Sequence, residues 1–359
     1  MAEKLIIIAP YPRENNIKDG MQIRVSAIDK LLASFPRKYV NISIRHKHRI
    51  KSRHSDLVTE IHLNPILHFF DILRLIKGAE NIYAHSLYAF KLIPYALLLI
   101  SKTNKNLILD AHGVVPEEFY FENKKLMGSY LSFLEAQIFK RVNHCISVSN
   151  KMAAHFANKY KKGDIDWHDH IFYIHNSNLK ETNAEVCDKL RAKYGIDERS
   201  CVLIYSGNLQ KWQNIDMMLA KLSKIINSSI KIIVLTGEME KFQSLIAKYN
   251  LSESICLASV SPSELSDYYA ISHYGFILRD DIIVNRVANP TKMLEYLTFG
   301  LVPIVISPEI GDYNALGYDY LKINELDGSI RKIKSINNMQ IANSIIEVNQ
   351  TFKLHKLII

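Results

Sequence analysis

Residues 288–305, with the sequence ANPTKMLEYLTFGLVPIV, form the part of this chain whose residue types and spacing suggest chemistry most directly. Pro290 suits the first position of a helix, where its fixed φ is favourable and its missing N–H costs nothing, and Asn289 is a good N-cap before it. The free N–H groups of such a first turn can bind phosphate. Lys292 lies in that turn, and Glu295 follows three residues later on the same face. The segment therefore predicts an anion-binding helix terminus with a cation and a carboxylate on one exposed edge.

The rest of the segment predicts how this helix is packed. Tyr296 extends the exposed face, whereas Met293, Leu294 and Leu297 point into a core. Gly300 ends the helix, and the apolar run after it predicts a buried strand. The alternative interpretation is an ordinary surface Lys–Glu pair, worth ~0.2–0.5 kcal/mol.

The form Pro-x-Lys-x-x-Glu-Tyr-Leu at residues 290–297 resembles the nucleotide-sugar signature of GT-B glycosyltransferases of the family 4, or group 1, type. The resemblance implies that Lys292 and the helix N-terminus hold the donor diphosphate, while Glu295 holds the ribose and counts with His112 as catalytic. It also places Asn289 and Thr291 among the donor-binding residues.

Position 287 departs from the family pattern. The family usually has a glutamate there, eight residues before Glu295, which contacts the transferred sugar, and this chain has Val287. Arg286, Asn285 or the aspartates at 280–281 could substitute for it, although a solvated loop is an alternative for the two aspartates.

The loop after the apolar strand CVLIYS supplies further donor-site candidates. Gly207 lets the backbone approach a ligand, and Lys211 adds a positive charge. The family usually has Gly-Arg and then Lys-Gly here, whereas this chain has Asn208 at the arginine position and a glutamine near the lysine position. Trp212 either packs the loop or contacts the ligand. We assign Gly207, Asn208 and Lys211 to the donor site.

Arg279 ends the apolar run YGFIL. A charge at the carboxyl end of a strand in the expected cleft seldom serves packing, so we place Arg279 beside the donor phosphates with Lys211 and Lys292.

The N-terminal half should supply the acceptor and sugar side. Gly20 and Arg24 occur where the resemblance implies a Gly-Gly turn close to the donor, but Met21 replaces the second glycine. His112, with Gly113 after it, ends the strand NLILDA, and Glu118 follows in the same loop. We assign Gly20, Arg24 and Glu118 to this side and His112 to catalysis, where we expect it to hold a sugar hydroxyl instead of acting as a base.

Two other histidines, His85 and His175, also end predicted strands, and we expect them to satisfy backbone groups near the cleft.

These residues require parallel sheets, because parallel strands bring their following loops to one edge. Short β-rich apolar runs alternate with helical periodicity in two series along the chain. The fold class is therefore α/β, and the resemblance implies two Rossmann-like domains facing each other across a cleft (GT-B). We expect an acceptor-binding domain at 1–178, a nucleotide-sugar-binding domain at 179–340, and a C-terminal helical segment at 341–359 that packs back on the first domain.

Three segments carry more local expectations. The polar stretch 177–200 should contain the hinge, residues 88–100 should form a helix, and the basic run 37–54 should be a solvated loop or a surface for the anionic inner leaflet of a membrane. We expect a cytoplasmic protein, and the last interpretation adds peripheral contact with the inner face of the membrane.

Composition limits the alternatives. The chain has 359 residues, a net charge of +9 and four scattered cysteines, which indicates a reducing compartment and neither a disulfide framework nor a zinc site. The first residues lack the pattern of a signal peptide, so we expect none, and the longest apolar run is too short for a membrane span. No nucleic-acid motif appears, so we expect no nucleic-acid partner.

Residues 164–170, DIDWHDH, could bind a divalent metal ion or form a turn, and we prefer the turn. We expect no metal and no cofactor. The motifs of serine hydrolases, P-loop enzymes and dinucleotide-binding dehydrogenases are absent.

The sequence thus predicts a glycosyltransferase that moves a sugar from a nucleotide-diphosphate sugar to a hydroxyl of a growing, lipid-linked surface polysaccharide. The resemblance implies retention of configuration. Two alternatives remain open: a nucleotide-sugar 2-epimerase of the same fold, and a noncatalytic nucleotide-sugar-binding partner of another transferase.

Overall fold

The computed structural model describes residues 3–13, 20–103, 105–161, 170–173, 179 and 181–358. The chain forms two compact units: unit 1 comprises Met1–Ile174 with Val348–Ile359, and unit 2 comprises His175–Glu347. Each unit is a sheet of mainly parallel strands with helices between them, which confirms the α/β class with two parallel sheets. Within the described residues, no helix is both long and apolar enough to cross a bilayer.

Unit 1 is built on a seven-stranded sheet in the order β3-β4-β2-β1-β5-β6-β7. Its strands are β1 (Glu3–Ile8), β2 (Arg37–Ile42), β3 (Ile50–Arg53), β4 (Val58–Leu63), β5 (Ala79–His85), β6 (Asn106–Ala111) and β7 (His144–Ser147). Its helices are α1 (Gly20–Leu31), α2 (Phe69–Gly78), α3 (Ala96–Thr103), α4 (Val115–Phe121), α5 (Lys125–Phe139) and α6 (Asn150–Tyr160). The β3–β4 pair is antiparallel, and the other strand pairs run parallel.

The apolar runs of unit 1 become strands because both faces of a parallel sheet are covered by helices. Leu5 and Ile7 of β1 pack with Val25 and Ile28 of α1 in one buried cluster, which also includes Leu354 from the C-terminal segment. Asn349 joins the same unit, because its amide accepts a hydrogen bond from the N–H of Tyr173 (2.9 Å) and donates to its carbonyl (2.9 Å).

Unit 2 has a six-stranded parallel sheet in the order β10-β9-β8-β11-β12-β13. Its strands are β8 (Cys201–Ser206), β9 (Ile230–Leu235), β10 (Ile255–Ala258), β11 (Tyr274–Ile277), β12 (Val302–Val305) and β13 (Leu321–Lys322). Its helices are α7 (Ala184–Lys193), α8 (Ile215–Ile225), α9 (Met239–Lys248), α10 (Leu265–Ile271), α11 (Ile283–Arg286), α12 (Thr291–Thr298) and α13 (Ile336–Thr351), the last of which ends in unit 1. Strand β8 lies between β9 and β11, so the loop after β8 is central at the carboxyl edge of the sheet.

Two local predictions were wrong. The basic run 37–54 is not one loop: Arg37 starts β2 and is buried against Asp29, and β3 occupies 50–53. Residues 88–100 are not one helix, because Pro94 separates the 3₁₀ helix Leu87–Phe90 from α3. The polar stretch 177–200 contains α7, whose Cys187 and Leu190 are buried, and the hinge within this stretch stays a prediction. His175 and residues 164–169 lie outside the described residues.

Candidate functional site

The helix α12 begins one residue later than the sequence indicates. Pro290 occupies the N-cap position with extended backbone, and Thr291 is the first helical residue. Asn289 is not the cap: it is buried, and its side-chain oxygen accepts a hydrogen bond from the hydroxyl of Tyr313. Asn289 therefore fixes the approach of the chain to the helix, while the first turn begins at Thr291 and Lys292.

The prediction that Lys292 and Glu295 share an exposed edge of α12 is also wrong. Glu295 is only 5% exposed and Tyr296 is fully buried, while Lys292 is half-buried. The helix packs against β11 and β12, and the carboxylate is buried while the cation is partly enclosed. A surface Lys–Glu pair is thereby excluded as the explanation of these two residues.

Lys292 lies against the loop after β8. Its Nζ is 4.6 Å from the centre of the Tyr205 ring and 3.4 Å from the side-chain oxygen of Gln213. Gly207 has a φ of +151°, and a Cβ at this position would collide with Nζ of Lys292. Glycine is required at 207 for the backbone conformation and for this close approach.

The charge of Lys292 is poorly compensated within the protein. Burial lowers the pKa of Lys292 to about 7, with a further decrease caused by Arg279, while Glu295 acts in the opposite direction. Arg279 donates to the side-chain oxygen of Asn285 (3.2 Å). A partly enclosed lysine whose charged form is disfavoured in this way would be stabilised by a bound anion.

Glu295 belongs to a buried hydrogen-bonded chain. The hydroxyl of Tyr269 donates to Oε2 of Glu295 (2.8 Å) and lies 2.8 Å from Oγ of Ser206. The backbone N–H of Ser206 donates to the hydroxyl of Tyr296 (3.2 Å). The sequence analysis did not select Ser206 or Tyr269, although Ser206 precedes Gly207 directly. These hydrogen bonds fix the position of the Glu295 carboxylate.

The remaining donor-site candidates lie on more exposed parts of the same edge. Asn208 is exposed, and its carbonyl accepts from the hydroxyl of Tyr205 (2.6 Å). Lys211 is exposed at the start of the 3₁₀ helix Lys211–Gln213, and Trp212 is half-buried. These two polar side chains therefore have room to move toward a ligand.

The polar residues around Val287 are engaged with one another. Val287 is buried, and Arg286 forms an exposed ion pair with Asp281 (2.6 Å). Asn285 is buried and donates to the carbonyl of Asp280 (2.9 Å) in addition to accepting from Arg279. Asn285 thus orients Arg279.

In unit 1, His112 belongs to a buried cluster centred on Asp110. Oδ2 of Asp110 is 3.1 Å from Nε2 of His112 and 3.2 Å from Nδ1 of His85. The guanidinium of Arg24 donates to Oδ1 of Asp110 from Nε (2.8 Å) and from Nη2, and Nη1 donates to the carbonyl of Phe172. The sequence analysis missed Asp110, for which the only signal was a carboxylate inside an otherwise apolar strand.

The charges in this cluster are set by the ion pair. Burial alone would raise the pKa of Asp110, but Arg24 and the imidazoles hold it well below its ordinary value. Burial lowers the pKa of His85 to about 4, so this ring is neutral at pH 7. A neutral ring that donates to Asp110 through one nitrogen presents a lone pair at the other. Nε2 of His85 and Nδ1 of His112 are buried and have no hydrogen-bond partner among the described residues.

These three side chains are also spaced closely enough to ligate a metal ion. Arg24, however, already neutralises Asp110 and would repel a divalent cation beside it. The cluster is therefore better suited to fix the orientation of His112 than to hold a metal.

The acceptor-side candidates fall in different places. Gly20 is the first residue of α1, and Arg24, in the same helix, has no exposed surface. Arg24 therefore supports Asp110 and does not face a ligand in this structure, contrary to the expectation. Glu118 is half-buried in α4, where its Oε1 lies so close to Gly113 that a Cβ at 113 would collide with it.

Comparisons with known proteins agree with this architecture. No protein-family model and no curated protein matches the chain. Among solved structures, Anabaena HepE in complex with UDP and glucose has a TM-score of 0.66 at 12% identity, with 97% of each chain covered. WaaG, a glycosyltransferase of lipopolysaccharide biosynthesis, has a TM-score of 0.64 at 14% identity, with 98% of this chain and 96% of WaaG covered.

WaaB, a lipopolysaccharide outer core galactosyltransferase in its apo form, has a TM-score of 0.61 at 10% identity, with coverages of 98% and 96%. These likenesses extend over both units of the chain and over nearly the full length of each structure. The chain therefore has the GT-B fold of these glycosyltransferases.

Proposed function

We propose that this protein is a glycosyltransferase that uses a nucleotide-diphosphate sugar as donor and binds it at the carboxyl edge of the unit 2 sheet. The observation that carries the proposal is the placement of Lys292, half-buried against Tyr205 and Gly207 at the start of α12, with Arg279 close by. HepE was solved with UDP and with UDP-glucose, which supports a nucleotide sugar as the ligand.

In the proposed complex, Lys292, Arg279 and the N–H groups that start α12 bind the diphosphate. They stabilise the negative charge that develops on the leaving nucleotide diphosphate as the glycosidic bond breaks. Thr291 and Asn208 lie beside them, and Lys211 adds positive charge from the exposed side. A second role of these cations is to take the place of a metal ion, so that transfer proceeds without one.

Glu295 is proposed to accept hydrogen bonds from the ribose hydroxyls. Tyr269 donates to one of its oxygens and so leaves the carboxylate in a fixed orientation. A buried carboxylate that is already oriented loses little freedom when a ribose binds. Gly207 permits the backbone to approach the diphosphate at the same place.

On the acceptor side, we propose that His112 holds a hydroxyl of the transferred sugar, with Gly20 and Glu118 as further contacts. The acceptor is proposed to be a hydroxyl of a growing, lipid-linked glycan, with retention of configuration at the transferred sugar. WaaG acts in lipopolysaccharide biosynthesis, which supports this class of acceptor. The protein would then work in the cytoplasm, at the inner face of the membrane.

The test is calorimetric titration of the purified protein with UDP, GDP and TDP and their sugar conjugates in the absence of metal. We expect one nucleotide to bind and Lys292→Met to weaken it strongly. Lys248→Met is a matched control, because this exposed lysine also lies over a tyrosine ring, 5.8 Å from the centre of Tyr249. Equal binding by both variants and the wild type would refute the donor site.

The reaction products distinguish a transferase from the two alternative functions. A transferase releases nucleoside diphosphate and a glycosylated acceptor or free sugar, whereas a 2-epimerase converts the nucleotide sugar to its epimer without release. A noncatalytic partner binds the donor and yields neither product. Mass spectrometry and NMR of the reaction mixture distinguish the three outcomes.

A further inference from the structure

Unit 1 carries a group of large apolar side chains that project into solvent. We call this group the apolar crest, and it consists of Ile44 (66% exposed), Ile66 (79%), Leu67 (67%) and Phe70 (78%). Isolated exposed apolar residues are ordinary, but a contiguous group marks an interaction surface. The crest is part of neither the Lys292 site nor the Asp110 cluster.

Hydrogen bonds hold the crest together. The buried side chain of Asn64 donates to the carbonyl of Ile44 (2.9 Å) and accepts from the N–H groups of Ile66 (2.9 Å) and Leu67 (3.1 Å). The hydroxyl of Tyr95 donates to the carbonyl of the intervening Pro65 (3.0 Å). The two loops that carry the crest are therefore fixed to each other and to the sheet.

Cationic residues lie on the elements that carry the crest and on the strand beside them. The segment from Ser43 to β3 contributes Arg45, Lys47, Arg49, Lys51 and Arg53. On α2, Phe70, Arg74 and Lys77 are exposed and lie on one face at helical spacing, while Ile72 and Ile76 are buried on the other. An exposed helix face that starts with an aromatic residue and continues with cations is typical of helices that lie in a lipid interface.

Few acidic groups oppose this charge. Asp71 is paired with Arg49 (3.3 Å), and Asp56 is paired with Arg53 (2.6 Å). Glu60 is buried beneath the surface and bonded to His54 and Arg13. Arg45, Lys47 and Lys51 form no ion pair with the described residues. The surface therefore combines exposed apolar groups with a net positive charge.

We propose that the apolar crest inserts into the interface of an anionic lipid bilayer, with Ile44, Ile66, Leu67 and Phe70 below the headgroups and the surrounding lysines and arginines at the phosphates. Charge complementarity favours this occupant over a second copy of the chain, whose own crest would bring like charges together. The inference deepens the proposed membrane contact by assigning it a surface, and it does not depend on the donor site.

The experiment is cosedimentation of the full chain with sucrose-loaded vesicles of phosphatidylcholine alone or mixed with phosphatidylglycerol, without nucleotide sugar. We expect binding to the mixed vesicles that weakens with added salt. The triple variant Ile66→Ser/Leu67→Ser/Phe70→Ser should bind on the order of 10-fold or more weakly, since the buried apolar area is lost. Its melting temperature should be unchanged, because the three side chains are exposed.

A matched control is Leu126→Ser/Phe133→Ser, which removes apolar side chains that are 91% and 63% exposed elsewhere on unit 1. This variant should bind mixed vesicles like the wild type. The single variant Phe70→Trp should show a blue shift of its fluorescence on mixed vesicles. Undiminished vesicle binding by the triple variant, or loss of binding in the control instead, overturns the proposal.

A concentration-dependent dimer that the triple variant abolishes, with no vesicle binding by the wild type, also overturns it and identifies the crest as a self-association surface. Donor binding measured in parallel separates this result from failure of the proposed function. If the wild type binds the donor but not the vesicles, the membrane proposal is wrong; if it binds the vesicles but not the donor, the proposed donor site is wrong.

Discussion

The affinity for a nucleotide sugar should depend on pH through Lys292. Burial and Arg279 lower the pKa of Lys292 to about 7 in the free protein, so this lysine is only partly charged at neutral pH. A diphosphate binds the charged form, and its presence raises the pKa of the lysine. The affinity is therefore highest below the pKa of Lys292 in the free protein and decreases as the pH rises through that pKa.

The pKa of Lys292 sets the size of the change in affinity with pH. With a pKa of about 7, the charged fraction falls from ~0.9 at pH 6 to ~0.1 at pH 8, so the affinity should fall by about tenfold across this interval. Both phosphates of a nucleotide sugar are esterified, so the charge of the ligand stays constant. Calorimetric titration at several pH values measures the slope and the uptake of a proton on binding.

Two variants isolate the cause. Lys292→Arg keeps its charge at all these pH values, so its binding should vary little between pH 6 and pH 8. Lys292→Met should bind on the order of 10- to 100-fold more weakly at pH 6, the magnitude of a lost charge-assisted hydrogen bond, and should also be nearly independent of pH. A flat profile for the wild type, or an equal slope in Lys292→Arg, would refute the reasoning.

The other predictions concern close packing and the buried ion pair. Gly207→Ala should weaken nucleotide-sugar binding in the same titration, because its Cβ collides with Nζ of Lys292 and its φ of +151° disfavours alanine, and normal affinity would contradict this. Gly275→Ala should lower the free energy of unfolding in urea by ~1–3 kcal/mol, because its Cβ collides with the ring of Tyr296, whereas Gly237→Ala, with open space, should not. Asp110→Asn should cost ~3–5 kcal/mol at pH 7, because it leaves Arg24 buried without its counterion. Since the pKa of Asp110 is lower when folded, this contribution is present above the ordinary carboxyl pKa, and the difference from wild type should shrink as the pH falls below it.

Much of the fold could be predicted from sequence, because its signals are local. Runs such as KLIIIAP and CVLIYSG become β1 and β8, and the glycines and strand-end histidines mark where the loops begin. The predicted donor residues Gly207 and Lys292 do come together, since the carboxyl ends of parallel strands share one edge. The local pattern did not predict β3, because this short strand forms by pairing with its antiparallel neighbour β4.

The candidate site was predicted less completely. The spacing of Lys292 and Glu295 shows that they share a helix face, but exposure depends on what packs against that face, and the structure buries Glu295 beside Tyr269. The role of Arg24 also could not be read from its position, because its partner Asp110 lies 86 residues away.

Neighbours along the chain were sufficient to predict the alternation of strands and helices, the absence of disulfide and metal-finger spacing, and the spacing of Lys292 and Glu295 on α12. The burial of charges, their ion pairing and the exposure of apolar residues could be seen only in the folded chain. Burial and ion pairing depend on strand order, which brings Arg24 to Asp110 and Lys292 to Gly207 across long stretches of sequence.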